Sequence, residues 1–205
     1  MPLKQKLKHT PISSRFRGFL PIVVDVETSG LNPATDALLE IAIVPLALDP
    51  KGKLFPLETE SYHVEPFPGA RIDPESLALT GIDPGHPFRF AIPEQQALHN
   101  IFLKVEGLLA EYGCSRAVLV GHNAWFDLAF IQAAMKRCHL HARPFHSFTS
   151  LDTATLSAVA LGETVLARAL RAANIPFDIN QAHSAIYDAE KTAALFCYIV
   201  NQWGG

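Results

Sequence analysis

The spacing of apolar positions along the chain changes character about halfway. Pro21-Ile22-Val23-Val24-Asp25-Val26-Glu27 is a near-continuous run rich in β-branched residues, closed by Thr28-Ser29-Gly30, and it predicts a buried strand. Residues 38–48 form a second apolar run ending in the turn Asp49-Pro50-Lys51-Gly52, and residues 59–65 alternate like a third strand. Short turns between three such strands predict an antiparallel meander. The stretch 66–93 is rich in Pro and Gly and carries one short helix, from about Pro74 to Leu79, with Pro in its first turn. The period then lengthens. Leu98, Ile101, Phe102, Val105, Leu108 and Leu109 recur at helical spacing within 94–112. Residues 117–120 predict a strand, 125–139 a helix and 146–151 a short strand, followed by two shorter helices. In 184–203, Ile186, Ala193, Ala194, Phe196, Cys197, Ile199 and Val200 outline the apolar face of a final helix. Residues 1–18 read as an irregular arm. A meander of strands, then alternating strands and helices, predicts an α/β fold: a mixed five-stranded sheet flanked by helices.

Composition narrows the class. At 205 residues and 49% hydrophobic, the chain suits one domain with a sizeable core. No apolar stretch approaches the ~18 residues of a membrane span, and no signal-peptide pattern follows the basic N-terminus. Cys114, Cys138 and Cys197 are widely spaced and form no CxxC, which argues against a disulfide frame or zinc site and for the reducing cytoplasm. The net charge of −3 does not suggest a nucleic-acid binder, but its distribution is uneven. Residues 1–24 hold Lys4, Lys6, Lys8, Arg15 and Arg17 and no acid, whereas all 20 acidic side chains lie in the rest of the chain with the other 12 basic ones.

Three acidic features carry candidate chemistry. Asp25 and Glu27, at i and i+2 of a strand, point to one face, and two carboxylates buried together need a cation or hydrogen bonds to stabilise them. In Gly121-His122-Asn123-Ala124-Trp125-Phe126-Asp127 a strand leads directly into a helix whose first turn holds Asp127. In His183-Ser184-Ala185-Ile186-Tyr187-Asp188 the histidine precedes the last helix and the acid lies one turn inside it. Each alone has an ordinary counterpart, either a solvated strand end or an acid favoured by a helix N-terminus.

Their order, Asp-x-Glu early, Asp after His-Asn-x-x-Phe, then His-x-x-x-x-Asp late, resembles the DEDDh group of 3′→5′ exonucleases, which share a ribonuclease H-like fold. Within that group the chain is most similar to the ribonuclease T branch. Arg15-Phe16-Arg17-Gly18-Phe19, Asp25 to Leu31, Asp36 to Ala42, His63-Val64-Glu65-Pro66-Phe67, Gly81-Ile82-Asp83-Pro84, Pro144-Phe145-His146, Leu161-Gly162 and Gln181 to Ala185 all carry the likeness, which extends from about Arg15 to Trp203.

The resemblance implies a single exonuclease domain over residues 15–205, preceded by a basic arm, residues 1–14, that need not be ordered. It implies catalytic residues Asp25, Glu27, Asp127, His183 and Asp188. The four acids would hold two Mg²⁺ ions, or Mn²⁺ in their place: Asp25 bridging both, Glu27 and Asp188 completing one site, Asp127 serving the other. His183 would be the general base, a role that histidine as a residue type suits at neutral pH. Phe126, Phe148 and Glu75 match residues that grip the 3′-terminal bases, whereas Leu31 and Leu79 stand where the family pattern has Phe, placing base preference in question. Arg15, Arg17 and Arg116 match a nucleic-acid-binding patch, which Lys136, Arg137 and Arg143 would extend. In the family this patch faces the active site of the other subunit of a homodimer. The expected activity is therefore removal of nucleotides from single-stranded RNA 3′ ends, in transfer-RNA end turnover and stable-RNA maturation. A proofreading or repair DNA exonuclease and a catalytically inactive nucleic-acid-binding module remain as alternatives.

Overall fold

Strand β1, Phe19–Thr28, alternates side chains to two faces, and Leu20, Ile22, Val23 and Val24 are all inaccessible to solvent. A strand buried on both sides must be covered on both, and this requirement shapes the architecture. The structure is a computed structural model describing residues 12–203. Residues 1–11, with the three early lysines of the expected arm, lie outside the described residues.

β1 pairs antiparallel with β2, Leu38–Leu48, which pairs antiparallel with both β3, Leu54–Pro56, and β4, Glu60–His63. On its other side β1 runs parallel to β5, Arg116–Gly121, and β5 parallel to β6, Phe145–Asp152. Helices α1, Ile12–Arg15, and α2, Pro74–Thr80, are short, while α3, Glu94–Tyr112, and α4, Trp125–Arg137, pack on each other along the sheet. The long helix α7, Ala185–Trp203, lies across β1, β2 and β3 and is backed by α5, Thr153–Leu161, and α6, Leu166–Ala172. Among these packed layers, no described helix is long and apolar enough to cross a membrane.

The antiparallel meander and the alternating second half match the sequence pattern, with three differences. The sheet has six strands, not five. The additional β3 is only three residues long and ends in Pro56, which suits the outer edge of β2, where a missing N–H breaks no interior ladder. β3 and β4 occupy the same edge of β2, so six strands fill five positions. Residues 12–15 form a helical turn rather than irregular chain, because Ile12 is buried in the main core. Ile186, read as part of the buried face of α7, is 41% exposed, since the first turn of that helix borders the acidic cleft.

α3 and α4 are clamped by a buried ion pair. Arg137 donates to both carboxylate oxygens of Glu94, at 2.7 and 3.1 Å, and to the Pro33 carbonyl at 2.7 Å, while its guanidinium lies 4.2 Å from the Phe67 ring centre. Arg137 is thus fully engaged inside the fold and does not extend the basic patch.

Candidate active site

Four carboxylates converge at the carboxyl end of β1. The ladder between β1 and β5 stops at Val23, and the Val26 N–H beyond it is satisfied by Asp127 Oδ1 at 3.1 Å. The sheet's divergence therefore places the first turn of α4 against the acidic end of β1. Gly121 permits this approach: a Cβ there would lie 3.1 Å from both Ala124 Cα and Asp127 Oδ2. Asn123, in the same turn, takes a left-handed backbone at φ 67°, a conformation asparagine tolerates better than most residues. The ring of His122 is held at both nitrogens, by the Thr153 hydroxyl at 3.0 Å and the Thr164 carbonyl at 2.8 Å.

From the opposite side, α7 delivers Asp188. Its Oδ2 accepts the His183 N–H at 2.9 Å, which fixes the loop carrying the histidine, and His183 itself has φ 65°. A histidine in the left-handed region signals local strain held by its surroundings, a frequent companion of function. The His183 side chain is exposed, and its ring, Glu27 and Asp188 bring ligand atoms within 4.8 Å of one another. Asp188 Oδ1 is buried and has no hydrogen-bond partner.

Burial, with neighbouring negative charge at three of them, raises all four cluster acids. Burial, then the charge of Asp188, Glu40 and Asp127, pushes Glu27 to about 8. Burial also raises Asp127 to about 8, against the opposing hydrogen bonds from its own N–H and that of Val26. Asp25 is held well above the usual range by burial and then by Asp127, Glu27 and Asp188. Asp188 is raised by burial, partly offset by its bond to His183. Protein groups alone leave these carboxylates poorly ionised. Oxygen donors, mutual repulsion and an orphaned buried carboxylate oxygen together fit hard divalent cations.

Glu40 is a fifth acid that the motif reading did not single out. It stands opposite Glu27 in the β1–β2 register, bonds His63 Nδ1 at 2.9 Å and accepts the Ala185 N–H at 3.5 Å. It therefore ties the start of α7 to the sheet. Only the cross-strand register exposes this link; its place in the apolar run Leu38–Ala42 gives no local signal.

The expected substrate groups separate into two sets. Leu31, 79% exposed, and Leu79, 63% exposed, stand near the site on a wall made from the loop after β1 and helix α2, which also bears Glu75. The buried Ser29 joins these pieces. Its hydroxyl donates to the Arg71 carbonyl at 2.6 Å and accepts the Ala37 N–H at 2.7 Å, and its carbonyl accepts the Asp73 N–H at 2.8 Å. Half-buried Phe126 packs on Phe130 and meets Trp125 edge-on. Trp125, 66% exposed two residues before Asp127, is an aromatic face the motif reading left unassigned.

Phe148 is 80% exposed in the irregular stretch of the β5–β6 pairing and meets His146 edge-on, and His146 in turn meets Phe19 at the start of β1. Phe19 lies six residues before Asp25, roughly 20 Å along the strand from it. Arg17 and Arg116 are exposed at the same far end. Arg15 beside them is half-buried, donating to the carbonyls of Val200 at 3.1 Å and Gly52 at 3.4 Å. Lys136 and Arg143 line a groove of ≈ 390 Å³ between α4 and β6, next to His146.

Comparison with known proteins agrees with this geometry. Residues 22–196 match the RNase_T family, described as an exonuclease. The chain is 57% identical over 194 residues to Ribonuclease T of Cronobacter sakazakii, covering 95% of this chain and 87% of that one. It is 55% identical over 192 residues to Ribonuclease T of Yersinia enterocolitica, covering 94% and 89%. Among solved structures it resembles Escherichia coli Exonuclease I in complex with a dT13 oligonucleotide, with TM-score 0.69 and 17% identity over 91% of this chain and 42% of that one. It also resembles a 3′-exonuclease described in 3′-end-specific recognition of a histone mRNA stem-loop, with TM-score 0.70 and 16% identity over 89% and 64%. Those solved chains are longer, so the likeness to them concerns the fold. By its family match and its near full-length identity to these relatives, the chain belongs to the RNase_T exonuclease family and is a hydrolytic 3′→5′ exonuclease.

Proposed function

We propose that the protein is a Mg²⁺-dependent exoribonuclease that shortens the single-stranded 3′ ends of transfer RNA and other stable RNAs in the cytoplasm, acting as a homodimer. The metal-dependent chemistry rests on one observation above others: four raised carboxylates meet around a buried Asp188 oxygen that has no partner. Asp25, Glu27, Asp127 and Asp188 would hold two ions. When bound, such a pair supplies positive charge at the attacking and leaving oxygens of the phosphodiester. His183 accepts the proton of the attacking water. Its exposed ring and its backbone tie to Asp188 support that role by leaving the imidazole free while anchoring the loop. Leu31, Leu79 and Glu75 form one side of a slot for the terminal bases, and Phe126 with Trp125 the aromatic side. A leucine face packs against a base but offers no π system, so we assign stacking here to Phe126 and Trp125.

The far-end placement of Arg17 and Arg116 supports the dimer. They stand at the opposite end of β1 from the carboxylates of their own chain, and a second copy would present them to the strand upstream of the scissile bond. Arg15 contributes by seating α1, the turn that displays Arg17. RNA as substrate is supported by the relatives named Ribonuclease T. The likeness to an exonuclease solved with oligo-dT keeps DNA as the second reading. The cytoplasmic assignment is supported by the three free thiols.

Matched 3′-end assays on single-stranded RNA, single-stranded DNA and duplexes with short 3′ overhangs test these assignments. The expected result is release of mononucleotides from RNA in Mg²⁺, stopped by a chelator. Faster turnover of DNA would replace RNA by the second reading, and undiminished turnover after chelation would remove the metal assignment.

A further inference from the structure

The segment His86-Pro87-Phe88-Arg89-Phe90 carries two of the most exposed aromatic rings among the described residues, Phe88 at 75% and Phe90 at 80%. They are not a loose tip. His86 Nδ1 accepts the Phe88 N–H at 3.3 Å, and Arg89 between the two rings turns inward and donates to the Leu39 carbonyl of β2 at 2.8 Å. Two residues on, the Ile92 N–H donates to the His63 carbonyl at 3.0 Å and its carbonyl accepts the Glu65 N–H at 2.9 Å. Phe90 sits in the left-handed region at φ 51°, a conformation disfavoured for a bulky residue and kept here by the pinned chain on both sides. Exposing large apolar rings on a fixed scaffold marks a binding surface more often than packing error.

The rings form a series that starts at the catalytic cleft. His86 and Arg89 line a hollow of ≈ 330 Å³ together with Glu40, His63, Asp83 and His183. From His86 the ring centres step 5.7 Å to Phe88 and a further 6.5 Å to Phe90. Arg89 Nη1 is buried beneath the rings, so the guanidinium braces the segment from within. Aromatic faces in a row suit a single-stranded nucleic acid, whose bases stack on rings. Continuity with the His183 cleft selects the exonuclease's own substrate over an unrelated protein.

We propose that His86, Phe88 and Phe90 form a stacking strip for unpaired bases upstream of the 3′ end, with Arg89 holding the strip against β2. This rests on the reading of the protein as an exonuclease of single strands. The strip lengthens the grip on the substrate and supplies π faces that the slot lacks at Leu31 and Leu79.

The test is steady-state kinetics on single-stranded oligonucleotides of two, four and eight nucleotides, in RNA and DNA series with Mg²⁺. In the Phe88→Ala/Phe90→Ala double variant, KM for the octanucleotide is expected to rise about tenfold with kcat unchanged, and KM for the dinucleotide to stay the same. The Phe88→Tyr/Phe90→Tyr variant should keep the wild-type values, and Phe88→Leu/Phe90→Leu should behave like the alanine variant. An unchanged octanucleotide KM, an equal rise at every length, or full rescue by leucine would each overturn the strip. The wild-type control separates the two readings. If it is inactive on both nucleic acids, the exonuclease reading fails; if it is active and the variants show no length dependence, only the strip fails.

Discussion

At the scale of single residues, the site is defined by acids that ionise poorly without a cation. Glu27 and Asp127, pushed to about 8, bind protons in the folded state at pH values where the unfolded chain, with carboxyls near ~4, has released them. A raised folded pKa contributes stability at low pH that is lost as the pH climbs through the folded value. The metal-free protein should therefore lose thermal stability between about pH 4 and pH 8, and added Mg²⁺ should restore it most at the alkaline end. Thermal melts across that range, with and without chelator, measure this. A shallower fall in Glu27→Gln than in the wild type would assign part of the effect to Glu27, the remainder belonging to Asp127 and Asp25. If Asp25 holds metal as proposed, Asp25→Asn should fold and yet lose at least a thousandfold in kcat. The residues of the site were legible from motif order, since Asp25, Glu27, Asp127, His183 and Asp188 each stand in a recognisable local pattern. Glu40 was not, because its part depends on facing Glu27 across two strands.

At the scale of elements, positioning depends on where strands stop and helices start. The turn from β5 into α4 works only while Gly121 lets Ala124 and Asp127 close in. Gly121→Ala should displace the Asp127 carboxylate by a few tenths of an ångström and lower kcat tenfold or more, with a loss of stability of about 1 kcal/mol. Kinetics and chemical denaturation on the same preparation separate the two effects. The α3–α4 clamp behaves differently. Arg137→Ala leaves the buried Glu94 unpaired and should destabilise by about 3–5 kcal/mol with little change in kcat. Helices α3 and α7 were predicted close to their observed bounds because long amphipathic runs carry their own period. The three-residue β3 was not, since a strand that short is defined by the β2 edge it joins.

At the scale of the whole molecule, charge is arranged by end. The parallel strands begin beside exposed Arg17 and Arg116 and finish at four carboxylates, so a net charge of −3 conceals two opposite poles. Two divalent ions would offset the acidic pole and leave the basic one available to phosphate. Arg17→Ala combined with Arg116→Ala should raise KM severalfold, flatten the salt dependence of binding by about one to two phosphate contacts, and spare kcat at saturation. Light scattering should give the mass of a dimer at micromolar concentration. A fully active monomer would detach the basic pole from catalysis.

What the sequence by itself determined were the features with local signatures: the strand and helix periods, the carboxylates on one face of β1, and the motif order that places the chain in its family. Tertiary structure alone decided which side chains were free to act. Arg15, Arg137 and Arg17 look alike in sequence, yet the first is bonded to backbone carbonyls, the second is locked to Glu94 and the third stands in solvent. Phe148 matched a base-gripping position, and its exposed ring packed edge-on against His146 comes from an irregular stretch of the β5–β6 pairing that no local pattern announces. The reason is physical. Periodicity is set by neighbours within a few residues, whereas hydrogen-bond satisfaction, exposure and distance across the sheet depend on partners many tens of residues away, and these are fixed only when the layers pack.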